Sequence, residues 1–367
     1  MMLNLQDRET EYLLSLIRCA IKGDKAPDNT GVDMERLFTL AKKQQVYCLV
    51  LPCLEEANLL DKDQLKQWKN YKLSELKKTI TVNSERELIC ADLDRAGIGY
   101  IFLKGLVIRE YYPKTAMRQM SDNDLAYDKS RRDELIRIMK KHGYYLGAST
   151  DNSDDFYKKP YCTFEFHREL FNDKDDFCPD FSPWENSTPV EGSSRRVISR
   201  EDNYLYTVAH LYKHYHCVSG AGVRFVVDLY LLTHSDDELD YAYINKTLEE
   251  FGITDFNALA LGLADDIFED KEPTSEELEL LDFMFSGYIY GSEEYDIEGE
   301  LDKYGSKSSF ILHRLFPSKS FMFDTYKNLG KRPYLLPFYY VYRLFDKYRH
   351  NKEYMDRDLS QLKKIKK

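Results

Sequence analysis

The stretch IFLKGLVIREYYPKTAMRQMSDNDLAYD, Ile101 to Asp128, decides the reading of this chain. It opens on a short β-branched and aromatic run, IGYIFLKG, bounded by Gly97 and Gly105, which is the signature of a strand. LVIREYY then predicts a helix that starts at the turn and stops at Pro113. DNDLAYD alternates and predicts a second strand. Residues i and i+2 of a strand share a face, so Asp122 and Asp124 are expected side by side, with Asn123 turned the other way. Two carboxylates that close repel each other unless a cation lies between them. A hard divalent ion such as magnesium takes oxygen ligands of this kind together with substrate phosphates. The plain alternative is an exposed strand edge with acids at alternate positions.

Working outward, KSRRDELIRIMKKHG predicts an amphipathic helix with a glycine stop and with Asp128 as its N-cap. YYLG and DDFYKKP are weaker strand candidates. YCTFEFHREL alternates, placing Cys162, Phe164 and Phe166 on one face and Thr163, Glu165 and His167 on the other. A metal site built on two acids takes a further carboxylate from a neighbouring strand, and Glu165 is the best candidate. His167, on the same face, is suited to orienting Glu165, binding phosphate or acting as a base, or to a purely structural place. The glycine turn before a helix lets backbone N–H groups approach a phosphate, Lys104 adds a point charge, and Arg118 offers a bidentate contact. The plain reading of Arg118 is an ion-pair partner for the acids.

Before residue 97 the pattern is helical. RETEYLLSLIRCAIKG, DMERLFTLAKKQQV and YCLVLPCLEEAN read as helices, and the long segment from Asp61 to Gly97 as one helix crossing the molecule. Residues 171–200, rich in Asp, Pro and Ser, read as a loop, and helical periodicity returns beyond them. RPYLLPFYYVYRLFDKYRHNK mixes aromatic and basic residues, and its prolines favour packing against helices over lying on a membrane. The expected class is α+β: a small mixed β-sheet core flanked by N-terminal and C-terminal helical segments. The expected division is 1–96 helical, 97–170 core and 171–367 helical.

Composition bounds the function. The 367 residues carry 52 Lys and Arg against 63 Asp and Glu, a net charge of −11, which argues against an extended nucleic-acid partner. Seven scattered cysteines form no CxxC pair, so a zinc ribbon or disulfide framework is not expected and the thiols read as reduced. No segment approaches the roughly 20 apolar residues of a membrane span, and the start lacks a signal-peptide pattern; the expected location is cytoplasmic. His210, Lys213 and His214 fall at i, i+3 and i+4 on one helix face. Without an H-E-x-x-H pattern they do not indicate a metalloprotease; they line a cleft and contact nucleotide or acceptor, or pack against the core.

At these residues the chain resembles the uncharacterised nucleotidyltransferase family of the DNA polymerase beta-type superfamily. The matching residues are Leu103-Lys104-Gly105, Tyr112-Pro113, Arg118, Asp122-Asn123-Asp124-Leu125, then Glu165, His167 and Leu170. EDNYLYTVAHLYKHY and RFVVDLYLL resemble later helices of the family, matching His210, Lys213, His214 and Asp228. The resemblance covers roughly residues 35–350. It implies a nucleotidyltransferase core in which Asp122, Asp124 and Glu165 hold Mg2+ (or Mn2+) and are catalytic. Lys104, Gly105, Arg118, His167, His210, Lys213, His214 and Asp228 then contact the nucleotide. The implied partners are a nucleoside triphosphate and a small-molecule or protein acceptor. Where the wider superfamily has Gly-Ser or Gly-Gly at the turn, this chain has Lys104-Gly105-Leu106, so Lys104 is expected to replace the lost phosphate contact. Two rival readings go with this departure: a non-catalytic nucleotide- or partner-binding protein on the same fold, and a toxin–antitoxin component.

Overall fold

The structure is a computed structural model that describes residues 7–150, 152–171, 181–216, 221–235, 238–286, 322 and 333–342. The chain divides into two units, residues 1–290 and 291–367. In the second, the described part of the aromatic-basic segment is a 3-10 turn, Pro333–Leu335, followed by a helix over 336–342.

The first unit begins with α1 (Arg8–Lys22), α2 (Met34–Lys43), α3 (Tyr47–Glu56) and α4 (Lys62–Ala96). Cap residues set their ends. The Asp33 carboxylate accepts from the backbone N–H of Glu35 and Arg36, and Asp61 forms a capping box with Gln64. Gly97 closes α4 in the left-handed region at φ 64°. Pro52 sits inside α3 without ending it. At 35 residues α4 serves two cores. Trp68 near its start packs with α1–α3, whereas Ile89 and Leu93 near its end pack under the sheet.

The sheet runs in the order β3-β4-β5-β2-β1-β7-β6. Its strands are β1 (Tyr100–Phe102), β2 (Asn123–Tyr127), β3 (Tyr145–Ser149), β4 (Ser153–Lys158), β5 (Cys162–His167), β6 (Thr188–Pro189) and β7 (Arg195–Val197). β2 is antiparallel to β1 and parallel to β5. The alternation expected in β5 holds: Cys162, Phe164 and Phe166 are buried together with Leu125, Tyr127 and Phe156. Against them lie α4 and α6 (Arg132–Lys141), the latter through Leu135 and Met139. Each of these side chains contributes roughly 1.5–3 kcal/mol by leaving water. Asp128 caps the turn into α6, accepting from Ser130 N at 3.0 Å, as its position predicts.

The opposite face, through Ile101, Leu103 and Ala126, joins a helical core. That core is built on α7 (Arg200–His216), α8 (Arg224–Thr233), α9 (Tyr241–Phe251), α10 (Thr254–Glu269) and α11 (Ser275–Ser286). Two expectations are corrected. The helix expected over LVIREYY is one short turn, α5 (Gly105–Ile108), continued as a 3-10 turn over Arg109–Tyr111. Part of the expected 171–200 loop is sheet, since β7 lies parallel beside β1, with Tyr100 opposite Arg195. Its sequence is polar and held by backbone and side-chain bonds rather than apolar burial. The Asp94 carboxylate of α4 accepts from Ser194 N at 2.7 Å and Ser193 Oγ at 2.8 Å. Ser194 O accepts from Tyr100 N at 3.3 Å.

Candidate active site

β1 and β2 deliver the turn and the acids to one place. Leu103 N donates to Asp124 O at 3.1 Å, which ties the end of β1 to the acidic strand. Lys104 follows at φ 48°, ψ −125°, a conformation that an L residue adopts at a cost of roughly 1–3 kcal/mol. The turn aims its ammonium at the acids: Lys104 Nζ donates to Asp124 Oδ1 at 2.8 Å and lies 5.7 Å from the centre of the Tyr206 ring of α7. The N–H groups of Leu106, Val107 and Ile108 are spent on the carbonyls of Leu103 and Lys104. At Gly105 a Cβ would collide with the guanidinium of Arg118, so the position has no room for a side chain.

Asp124 and Glu165 are direct register neighbours across β2 and β5. His167 Nε2 lies 3.0 Å from Asp124 Oδ1 and 3.7 Å from Glu165 Oε1. One ligand atom each from Asp124, Glu165 and His167 fall within 4.8 Å of one another. Asp122 stands just before β2. Burial first, and then the charges of Asp124 and Glu165, push its carboxyl well above the usual range. Asp124 goes the other way. Burial opposes its charge, but the Lys104 ammonium and the hydrogen bond from His167 outweigh it and hold the carboxyl below the usual range. Burial likewise opposes the Lys104 ammonium, yet Asp124, Glu165 and Asp122 together raise its pKa well above normal. One site therefore contains two aspartates driven in opposite directions, the pattern by which environments assign different roles to like groups.

The remaining expected residues divide into two further sets. Arg118 is clamped by Asp228 of α8, donating from Nε at 2.9 Å and Nη2 at 2.6 Å, while Tyr112 Oη donates to the same carboxylate at 2.8 Å. Asp228 is buried. His210 and His214 on α7 face each other with their Nε2 atoms 3.0 Å apart. Burial and then the Lys104 charge keep both imidazoles neutral, His214 at about 4 and His210 well below its ordinary value. Lys213 lies on the same helix, and its charge adds to this effect on both. The structure thus brings Lys104, Asp122, Asp124, Glu165 and His167 together and gives Arg118 to Asp228.

Sequence reasoning missed two neighbours. Asp155 of β4 is the register partner of Glu165 and lies on the acidic face. Burial, followed by the Glu165 charge, pushes it up to about 6. Period-2 alternation could have found it, because Asp154 beside it turns to the other face and pairs with Arg132 and Arg168. Arg224, the first residue of α8, adds a positive charge near Asp122 and donates to Gln119 O. It carries no local sequence signal.

The mixed sheet thus presents Asp124 and Glu165 side by side, next to the Lys104-Gly105 turn and between helical layers. Residues 30–269 match the family described as uncharacterised nucleotidyltransferase, and the chain belongs to that family. Among solved structures it is similar to the solution structure of the antibiotic-resistance factor ANT(2″)-Ia. The identity is 17%, the match covers 49% of this chain and 95% of that one, and the TM-score is 0.35. It is also similar to the crystal structure of ANT(2″)-Ia with adenylyl-2″-tobramycin, at 16% identity, 47% and 94% coverage and a TM-score of 0.33. No curated protein matches the chain. Among the described residues no helix is long and apolar enough to cross a membrane.

Proposed function

We propose that the protein is a divalent-metal-dependent nucleotidyltransferase that moves a nucleoside monophosphate from a nucleoside triphosphate to a hydroxyl of a small-molecule or protein acceptor. One observation carries this reading: Asp124 and Glu165 stand side by side on adjacent strands, within ligand distance of His167, with Asp122 two residues before Asp124. The donor set fits magnesium or manganese, because carboxylate oxygens suit a hard cation and the like-charge crowding that raises Asp122 is what a cation would relieve. When bound, the ion supplies charge neutralisation at the transferring phosphate.

The chain's own residues do the rest. Asp122, Asp124 and Glu165 would hold the ion, and His167, bonded to Asp124, fixes the direction of that carboxylate. The acceptor hydroxyl attacks the α-phosphorus in line. The new O–P bond forms as the bond to pyrophosphate breaks, and Glu165 takes the hydroxyl proton. The work is mostly positioning and electrostatics. The net charge of −11 supports a compact acceptor over long nucleic acid.

A second reading rests on one contact. Lys104 Nζ already neutralises Asp124 Oδ1, as it would in a metal-free binding protein on this fold. Magnesium and each labelled nucleoside triphosphate, titrated into wild type and into D124N and E165Q, separate the two. The enzyme reading expects metal-dependent nucleotide binding and pyrophosphate release, both lost in the variants. Unchanged magnesium affinity in D124N would sink it.

A further inference from the structure

Beside the acids, and on the other side of the leading end of β2, lies a small cleft open to solvent, between α4 and the segment from Arg109 to Asn123. Lys78, Arg86, Arg109, Arg118, Asp122 and Asn123 line it. Two of its cations are already committed: Arg118 to Asp228, and Lys78, which donates to Met120 O at 2.7 Å and lies 3.6 Å from Glu75. Arg86 is different. It is 8% exposed, donates from Nη1 to Asn123 Oδ1 at 3.0 Å, and among the described residues no carboxylate forms an ion pair with it. A buried charge is costly unless something pairs with it. Burial, and then the nearby Arg109, depress Arg86 to about 10, although Glu87, Glu110 and the Phe102 ring, 5.7 Å from the guanidinium carbon, offset part of that cost without pairing with it. Arg109 adds a second fork from another element, held by Asn83 at 3.3 Å and by the exposed Glu110 at 3.3 Å.

Asp122 belongs to both compartments. It lines this cleft, and it also feels the charges of Asp124, Lys104 and Glu165 on the α7 side. Two substrates therefore have two places that meet at Asp122, the donor against the carboxylates and the acceptor along α4. Guanidinium forks match the oxygens of a phosphate, and a dianionic phosphoryl group can engage two forks where a carboxylate engages one. We infer that the cleft along α4 binds the acceptor, that the acceptor carries a phosphoryl group, and that Arg86, seconded by Arg109, anchors it. This rests on the nucleotidyltransferase reading above, since it names the acceptor class of that reaction.

The probe is inorganic phosphate, titrated calorimetrically into the full chain without divalent cation, with acetate at equal ionic strength as the comparison. A nonhydrolysable triphosphate with magnesium is titrated separately. R86M and R109Q are each expected to weaken phosphate binding about tenfold, with R86K retaining part of it, while magnesium–nucleotide affinity stays within about twofold of wild type. If R86M does not fold, as thermal denaturation will show, R109Q carries the test. Phosphate affinity that is absent in wild type, or equal in R109Q and wild type, overturns the inference. So does acetate binding as tightly as phosphate. Parallel loss of magnesium–nucleotide affinity in R109Q overturns it too, because the cleft would then hold the donor's phosphates. A failure of the enzyme reading looks different: no variant, nor wild type, binds magnesium–nucleotide, while the phosphate titrations remain readable.

Discussion

Lys104 and Asp124 are joined by a 2.8 Å hydrogen bond between Nζ and Oδ1, and through it a lysine in a strained turn holds the acid strand's most buried carboxylate. The ammonium occupies the role that a metal ion would take in neutralising Asp124, Asp122 and Glu165. K104M should therefore destabilise the metal-free protein by about 3 kcal/mol, the cost of leaving a buried charge without its partner. Magnesium should restore part of the loss. Thermal denaturation with and without the ion checks this, and a K104M melting temperature indifferent to magnesium would show that the cluster does not take a cation.

The Arg118–Asp228 pair makes a separate, structural prediction. Asp228 is buried and receives three hydrogen bonds, two from Arg118 and one from Tyr112. D228N should cost about 3 kcal/mol in denaturant titrations, because a buried guanidinium is left uncompensated. Y112F removes one bond and should cost about 1 kcal/mol. G105A should also destabilise, since its methyl meets the Arg118 guanidinium. If D228N were no worse than Y112F, Arg118 would have another partner.

How much of this was legible in the sequence depends on where each signal lives. Asp122, Asp124, Glu165 and His167 were legible because strand alternation fixes a face whatever else surrounds the strand. β7 was not, because Ser193, Ser194 and Arg195 show no apolar alternation and owe their place to Asp94 and to the backbone of β1. The partner of Arg118 was hidden for another reason. Asp228 lies on a helix far along the chain, and only tertiary packing brings it to the turn. Arg224 and Arg86 reach the site in the same way, from α8 and α4, and neither carries a local motif.

Asp155 gives a prediction with a definite sign. Its folded-state carboxyl stands at about 6 against an ordinary 3.8, with burial as the main cause and Glu165 next. The unfolded chain gives up this proton first, so Asp155 withdraws stability as pH rises from about 4 to about 6. D155N should remove that contribution, so that between pH 4 and pH 8 it gains on the order of 1 kcal/mol relative to wild type. Denaturant midpoints at pH 4 and pH 8 measure it. A variant whose pH slope equals that of wild type would show that the Asp155 carboxyl is not raised in the folded protein.

His210 and His214 set the acid limit. Both imidazoles are held neutral in the folded protein, His214 at about 4 and His210 well below the ordinary 6.5. Burial is the chief cause and the Lys104 ammonium the next. A histidine with a depressed folded pKa leaves stability intact above its unfolded value and withdraws it as pH falls, since the unfolded chain takes up the proton first. The window therefore opens near pH 6.5 and, for His214, runs to about 4. The loss across it should be on the order of 2 kcal/mol for His214 alone. The H210Q/H214Q double variant has nothing to protonate at these positions, so relative to wild type it should gain stability as pH falls from 6.5 to 4, by the amount the two histidines withdraw. The histidines face each other at 3.0 Å, so protonating one places a charge against its neighbour's ring nitrogen, and the two single variants should not add. Urea midpoints measured at half-unit pH steps for wild type, both single variants and the double variant decide it. Parallel curves for all four would mean that the pair does not couple to folding.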